Sequence, residues 1–448
     1  MMKTFNRSVV LIAFTVLTTA VSAQEQTAFS IIEAEAYGVQ NNEKVLNVLL
    51  DVEAAQKKIW ETTAIGLPQV SAVGSFQNLV YIPTQVVDAS LFNPNAAEGE
   101  VMTLQLGQKY STSLTFNVNQ LIFDGSYIVG LQFAKFYSKM AQTAVTNTEN
   151  EVRAMVREAY YNVLVADKNL ELIDSALVNT EQLWIEIKIL QKNGFMRPDE
   201  VLQLELAYNR IVATRQNAFR QTEISRNLLK LQMGLDFEKD IQLTETFEGV
   251  LSAIEQANPV LQEFDFASNS TYIMLDQQKQ LDGFALQNEK SKYLPSAGAF
   301  FTTSANAFRN EFNFFQNQPW YPTTIWGIQV QIPITSSGQK VMRVQQAEIK
   351  IEQDINNLEY VERTLTYQDM QLKAGFDNAM QLMKIEKMNV DLATTLYNNE
   401  VKRRDIGVGS GMKVTQLQTQ LLTAQGGYIG AVMQMLAFKI QLDKLFNQ

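Results

Sequence analysis

The chain has 448 residues, with 37 Lys and Arg against 47 Asp and Glu, a net charge of -10, and neither histidine nor cysteine. A His-based triad, a thiol nucleophile, a disulfide and a His or Cys metal site are therefore excluded within one chain, and neither cofactor nor metal is expected. The acidic balance gives no electrostatic motive for binding nucleic acid, while 46% hydrophobic residues suffice for a large core.

Residues 1–23 start with Lys3 and Arg7, continue through the apolar run Val9 to Leu17 and end on Val21-Ser22-Ala23. That order predicts a secretory signal peptide cleaved before Gln24. Beyond it, nothing approaches 18 consecutive apolar residues, and the best stretch, Ala431 to Ile440, is interrupted by Gln434 and Lys439. An exported chain of this kind is periplasmic, secreted, or inserted in the outer membrane as strands.

After Leu67-Pro68, the positions Val70, Ala72, Gly74 and Phe76 alternate weakly with polar neighbours. From 110 to 122 the alternation is clear: Tyr110, Thr112, Leu114, Phe116, Val118 and Ile122 against Ser111, Ser113, Thr115, Asn117 and Asn119. Period two predicts strands with one apolar and one polar face. Between Gly130 and Gly194 there is neither glycine nor proline, so one helix on the order of 100 Å long can run through. Its stripe, Val152, Met155, Ala159, Val163, Ala166, Leu170, Ile173 and Leu177, has a period near 3.5 and predicts helices packed side by side.

The second half repeats the order. Leu294-Pro295 precedes Ala297, Ala299 and Phe301, and an aromatic-rich segment from Phe308 to Trp326 reads as an outer loop. Trp326, Ile328, Val330, Ile332 and Ile334 predict a strand over 324–334. No proline follows Pro333, and a second stripe runs Val414, Leu417, Leu421, Ala424, Tyr428, Ala431, Met435, Phe438, Leu442, Leu445. The pairing of Leu67-Pro68 with Leu294-Pro295, Gly125 with Gly338 and Gly194 with Gly409 predicts a duplication with a period of roughly 215 to 225 residues. The expected division is a first repeat over 24–245 and a second over 246–448, each reading helix, strand pair, very long helix, helix. Four such strands are too few to close a membrane barrel alone.

In this order and spacing the chain resembles the TolC family of outer-membrane efflux proteins. The words that carry the resemblance are Leu67-Pro68-Gln69-Val70-Ser71, Gln120-Leu121-Ile122-Phe123-Asp124-Gly125, Ile332-Pro333-Ile334 with Ser337-Gly338, and the turns Gly194-Phe195-Met196-Arg197-Pro198 and Val408-Gly409-Ser410-Gly411. Asn227 to Gly234 resembles the end of the family's first repeat. The resemblance implies a mainly α fold with a small β part: a homotrimer whose strands close a 12-stranded β-barrel in outer-membrane lipid, above an α-helical barrel of long antiparallel coiled-coil helices. It further implies a passive, non-enzymatic conduit of a tripartite efflux or type I secretion system, partnered by a periplasmic membrane-fusion adaptor and an inner-membrane efflux transporter. The rival is a periplasmic or secreted coiled-coil structural protein without a pore, which explains the heptads but not the period-two strands.

The family's closable end lies at the periplasmic helix turns. Here these hold Arg197, Asp199 and Glu200 in the first repeat and Arg403, Arg404 and Asp405 in the second. They are aperture candidates, against the plainer alternative of solvated turn charges worth about 0 to 1 kcal/mol per pair. The family's aperture carboxylates align with the uncharged Thr415 and Gln418, with Glu200 at the matching place in the first repeat. Gly194, Gly407, Gly409 and Gly411 are expected to free the backbone for the turns and to face the adaptor. Tyr110, Trp320, Tyr321 and Trp326 are expected at the membrane interface, and Asp124 as a helix cap.

Overall fold

The computed structural model describes residues 28–257 and 259–447; the expected signal peptide over 1–23 lies outside the described residues. A short strand β1 (Ala28–Phe29) leads into α1 (Ile31–Asn41), whose start is a capping box between Ser30 and Glu33. Asn42 ends α1 and caps α2 (Glu43–Ile65) by accepting from the Lys44 amide. Four strands follow: β2 (Gln69–Asn78), β3 (Thr84–Asp88), β4 (Val101–Gln105) and β5 (Tyr110–Phe123).

Asp124 then accepts from the Tyr127 amide and starts the 68-residue α3 (Gly125–Lys192), so the expected cap and uninterrupted helix are both present. Pro198 opens α4 (Pro198–Met233) at the position where its missing N–H costs nothing. Then come β6 (Gln242–Leu243), α5 (Phe247–Ala257), α6 (Ser270–Ser291), β7 (Ser296–Arg309), β8 (Tyr321–Gln331), the 67-residue α7 (Gln339–Asp405) and α8 (Gly411–Leu445).

The long strands form one antiparallel sheet in the order β2-β5-β7-β8. β8 differs from the expected 324–334: it begins at Tyr321 and stops at Gln331. Pro333 lacks an amide hydrogen for the ladder, which ends the pairing before Ile332 and Ile334 can join. Pro322 is the second residue of β8, at the strand's start, where proline is tolerated. The separate β3–β4 hairpin, between the first two long strands, had no clear alternation to announce it.

α3 and α7 run the length of the helical part. Near the sheet they pack with α2 and α6 in the order α2-α3-α6-α7, and farther away with α4 and α8 in the order α4-α3-α8-α7. The main core lies where these sets meet: Tyr160, Val156 and Val163 of α3, Leu229 and Met233 of α4, Phe247 and Leu251 of α5, Phe376 of α7, and Met435 and Leu442 of α8. None of the ten positions of the C-terminal stripe is exposed. α8 contains an 18-residue window of mean hydropathy 1.2, long and apolar enough to cross a membrane by composition. Its buried polar groups nonetheless meet protein: the Gln418 side-chain amide donates to the Ala176 carbonyl at 2.8 Å, and Asp443 accepts from Arg157 at 2.7 Å. Its hydropathy reflects helix packing.

Candidate functional site

Two regions carry the residues singled out by sequence, one at each end of the molecule. The first is the four-stranded sheet. Cross-strand register stacks Val70, Val118 and Phe301 with Trp326, and Ala72 with Phe116, on one face; Ile328 and Val330 continue that face on β8. The opposite face carries Ser75 bonded to Ser113 at 2.7 Å and Thr302 donating to Asn117 at 2.9 Å. Phe76, Val70, Trp326 and Ile328 are exposed, and no described helix covers the apolar face.

At the end of the sheet away from the helices, Phe312 packs edge-on against Phe76 and Tyr110 with ring centres 5.8 and 6.0 Å apart. Tyr110, Trp320 and Tyr321 lie at this rim. Trp326 does not: it is five residues into β8, opposite Phe301, roughly 17 Å along the strand from Tyr321. The aromatic segment is therefore part strand and part loop, the loop being confined to 310–320.

The second region is the far end of the helices, where the α3–α4 and α7–α8 turns lie side by side. Leu183 and Ile187 of α3, Val201 and Leu204 of α4, and Val414 of α8 form a small core there. Arg404 bridges to Glu186 of α3 at 3.5 Å and to its neighbour Asp405 at 2.6 Å, while Arg403 reaches Glu400 at 3.8 Å. Arg197 pairs with Asp199 at 2.8 Å, both exposed. Glu200 and Thr415 share a cavity of about 210 Å³ between α4 and α8. Gln418 is only 4% exposed, and its side-chain amide is turned to α3.

The four glycines serve two different purposes. Gly194 and Gly407 adopt φ of 79°, the left-handed turn conformation. Gly409 and Gly411 have no positive φ and are needed for close approach instead. A Cβ on Gly409 would lie 2.5 Å from the Arg404 nitrogen, and one on Gly411 2.4 Å from Ile187 Cδ1.

Between these regions sits a charged network with no local signal in the sequence. Arg157 of α3 binds Glu35 of α1 at 2.7 Å and Asp443 of α8 at 2.7 Å, and Asp443 also pairs with Lys439. Burial works against the Arg157 charge, but the Glu35 and Asp443 carboxylates outweigh it and raise its pKa. Tyr160 bonds to the Phe29 carbonyl and to Glu245, and Glu245 in turn accepts from the Ile31 amide at the start of α1. Burial pushes the Tyr161 phenol up to about 12. These contacts tie α1, the β1–β6 pair, α3 and α8 together.

The elements at the edges of each layer carry exposed apolar side chains. α4 presents Leu202, Leu206, Ile224 and Leu231; α7 presents Ile385, Met388, Leu392 and Leu396; α2 presents Leu46, Leu50 and Trp60. In the sheet the two edges are β2 and β8. Thus β2, α2 and α4 leave one flank unpartnered, and β8 and α7 leave the other.

No protein-family model matches the chain, and no curated protein matches it in sequence. Its fold does match solved structures. The outer membrane protein VceC from Vibrio cholerae is 12% identical over 93% of this chain and 96% of its own, with a TM-score of 0.66. The CmeC outer membrane channel of Campylobacter jejuni is 13% identical over 99% of this chain and 94% of its own, with a TM-score of 0.69. The open state of the MtrE outer membrane channel of Neisseria gonorrhoeae is 14% identical over 93% and 88%, with a TM-score of 0.64. The chain has the fold of the TolC-family outer-membrane channels that its motifs resemble.

Proposed function

We propose that three copies of this chain form a passive outer-membrane channel. The observation that carries this reading is the four-stranded sheet with one apolar face, one polar face and two free edges. A free edge in lipid leaves backbone donors and acceptors unsatisfied at several kcal/mol each. Joining β2 of one copy to β8 of the next removes every edge and yields 12 strands. The strands, 10 to 14 residues long, suit a tilted crossing of the bilayer. The same rotation brings the apolar flank of α4 against α7, closing a helical duct below the barrel.

On this reading the chain is exported to the outer membrane, and its two halves, 24–245 and 246–448, supply equivalent sixths of the ring of strands and helices. The helix turns at Gly194 and Gly407 form the periplasmic end, where Arg197, Asp199, Glu200, Arg403, Arg404 and Asp405 ring the aperture. A membrane-fusion adaptor docks on this end and couples it to an inner-membrane efflux transporter or a type I secretion pump, which provides the energy. The exposed apolar sheet speaks against the coiled-coil structural protein, which has no use for it. The test is single-channel recording of the purified protein in planar bilayers. Discrete conductance steps are expected; a protein that washes off outer membranes in carbonate and conducts nothing overturns the reading.

A further inference from the structure

The four long strands contain one charged residue, Arg309, at the last position of β7. Its cross-strand partner is Tyr110, which puts it on the apolar face. It is 8% exposed, and its guanidinium donates to the Phe308 and Pro319 carbonyls at 2.8 and 2.7 Å. The polar face therefore carries no charge at all along its length. Its polar groups are hydroxyls and amides, such as Ser113, Asn117 and Gln329, several of them bonded to one another. Phe300, on the same face, lies against Gly327, where any Cβ would meet its ring at 2.9 Å.

Channels sort ions by rings of charged side chains or by tight carbonyl cages. A trimer would turn each lumenal charge into a ring of three, focused by the surrounding low-dielectric wall. This barrel offers no such ring. We propose that the outer barrel is a charge-neutral duct lined by hydroxyl and amide groups, which admits neutral, zwitterionic, cationic and anionic solutes alike and sorts them by size. The proposal rests on the channel reading and adds to it the class of cargo that the barrel accepts. Sorting by charge, where it occurs, belongs to the helix-tip aperture or to the pump.

The test is the reversal potential of the purified channel in planar bilayers under a KCl gradient, for wild type, Glu200→Gln, and Asn117→Asp and Asn117→Lys built on Glu200→Gln. Asn117→Asp is nearly isosteric and still accepts from Thr302, which preserves the fold; size-exclusion elution confirms assembly for both variants. With Glu200→Gln in place to remove the candidate aperture carboxylate, the K⁺/Cl⁻ permeability ratio is expected within about threefold of unity, with Asn117→Asp shifting it several-fold to cations and Asn117→Lys to anions. A ratio beyond about tenfold in either direction that persists in Glu200→Gln overturns the proposal. So does an unchanged ratio in assembled, conducting Asn117→Asp, because the polar face would then not line the pore. Complete absence of conductance refutes the channel reading itself, and the neutral duct with it.

Discussion

The Arg157 guanidinium holds the Glu35 carboxylate at two points, Nε to Oε1 at 2.7 Å and Nη2 to Oε2 at 3.2 Å, across 122 residues of sequence. Its third contact, to Asp443, joins α1, α3 and α8 where the two helical sets meet. Removing one partner of a buried pair strands the other charge, at about 3 to 5 kcal/mol. Arg157→Ala is expected to lower the denaturation midpoint strongly. Replacing Arg157, Glu35 and Asp443 together with apolar residues of similar size should cost much less; equal losses in urea melts would refute this role.

Asp282 of α6 is held above its ordinary value of 3.8, first by burial and then by the neighbouring Asp354 carboxylate, with Lys350 and the Gln278 amide acting against the shift. Asp354 itself is 1% exposed and bonded to Lys350 at 2.9 Å. A carboxyl raised in the fold binds its proton more tightly there than in the unfolded chain. The fold is thus penalised at neutral pH, and the penalty is relieved as pH falls through the raised pKa toward 3.8. Asp282→Asn is expected to melt above wild type at pH 7, with the gap closing on acidification. A variant that melts below wild type at pH 7 would show an ionised Asp282 to be stabilising.

The two close-approach glycines differ in what an added methyl meets. At Gly409 it meets the Arg404 nitrogen and Arg403 carbonyl carbon, which cannot move alone; at Gly411 it meets the flexible end of Ile187. Gly409→Ala is expected to cost about 1 to 3 kcal/mol and Gly411→Ala less. Thermal melts that reverse this order would contradict the packing at the α7–α8 turn.

At the helix tips, Arg404 is the charged residue that ties α7 to α3. Arg404→Ala is expected to raise the open probability of the channel in bilayers. Glu200→Gln is expected to reduce cation preference at the periplasmic side if this carboxylate lines the aperture. Wild-type conductance and selectivity in both variants would return these residues to ordinary surface charges.

Neighbouring residues of β8 should respond oppositely to charge. Ile328 is on the apolar face and Gln329 on the polar one. Ile328→Arg is expected to cost about 2 to 4 kcal/mol if it faces the bilayer midplane, and to reduce assembly, whereas Gln329→Arg should assemble. Membrane-integrated protein measured by carbonate extraction checks this, and equal yields would deny the sheet a lipid face.

Much of the fold was legible because it rests on local periodicity. The alternation over 110–122 fell within β5, Tyr110–Phe123, and the interval free of glycine and proline became α3. β8 slipped by three residues because alternation continues through Ile332 and Ile334 although Pro333 ends the ladder. The mid-strand position of Trp326, away from the other three aromatics, was not legible for a related reason: composition marks an aromatic residue but not its depth along a strand. The Arg157 network was invisible because its members are 122 and 286 residues apart. The roles of Gly409 and Gly411 depend on neighbours across a turn, which no spacing in the chain reveals.

A closed barrel requires β2 of one copy to pair with β8 of the next. The chain contains no cysteine, so paired substitutions along these strands, Ser71, Val73 or Ser75→Cys with Thr323, Ile325 or Gln329→Cys, report only on the designed contact. A disulfide needs Cβ atoms within about 4.5 Å. Oxidation of outer membranes should convert at least one register of pairs into a covalent species of three chains. Monomer alone at every pairing, with the protein in the membrane, would contradict the closed barrel.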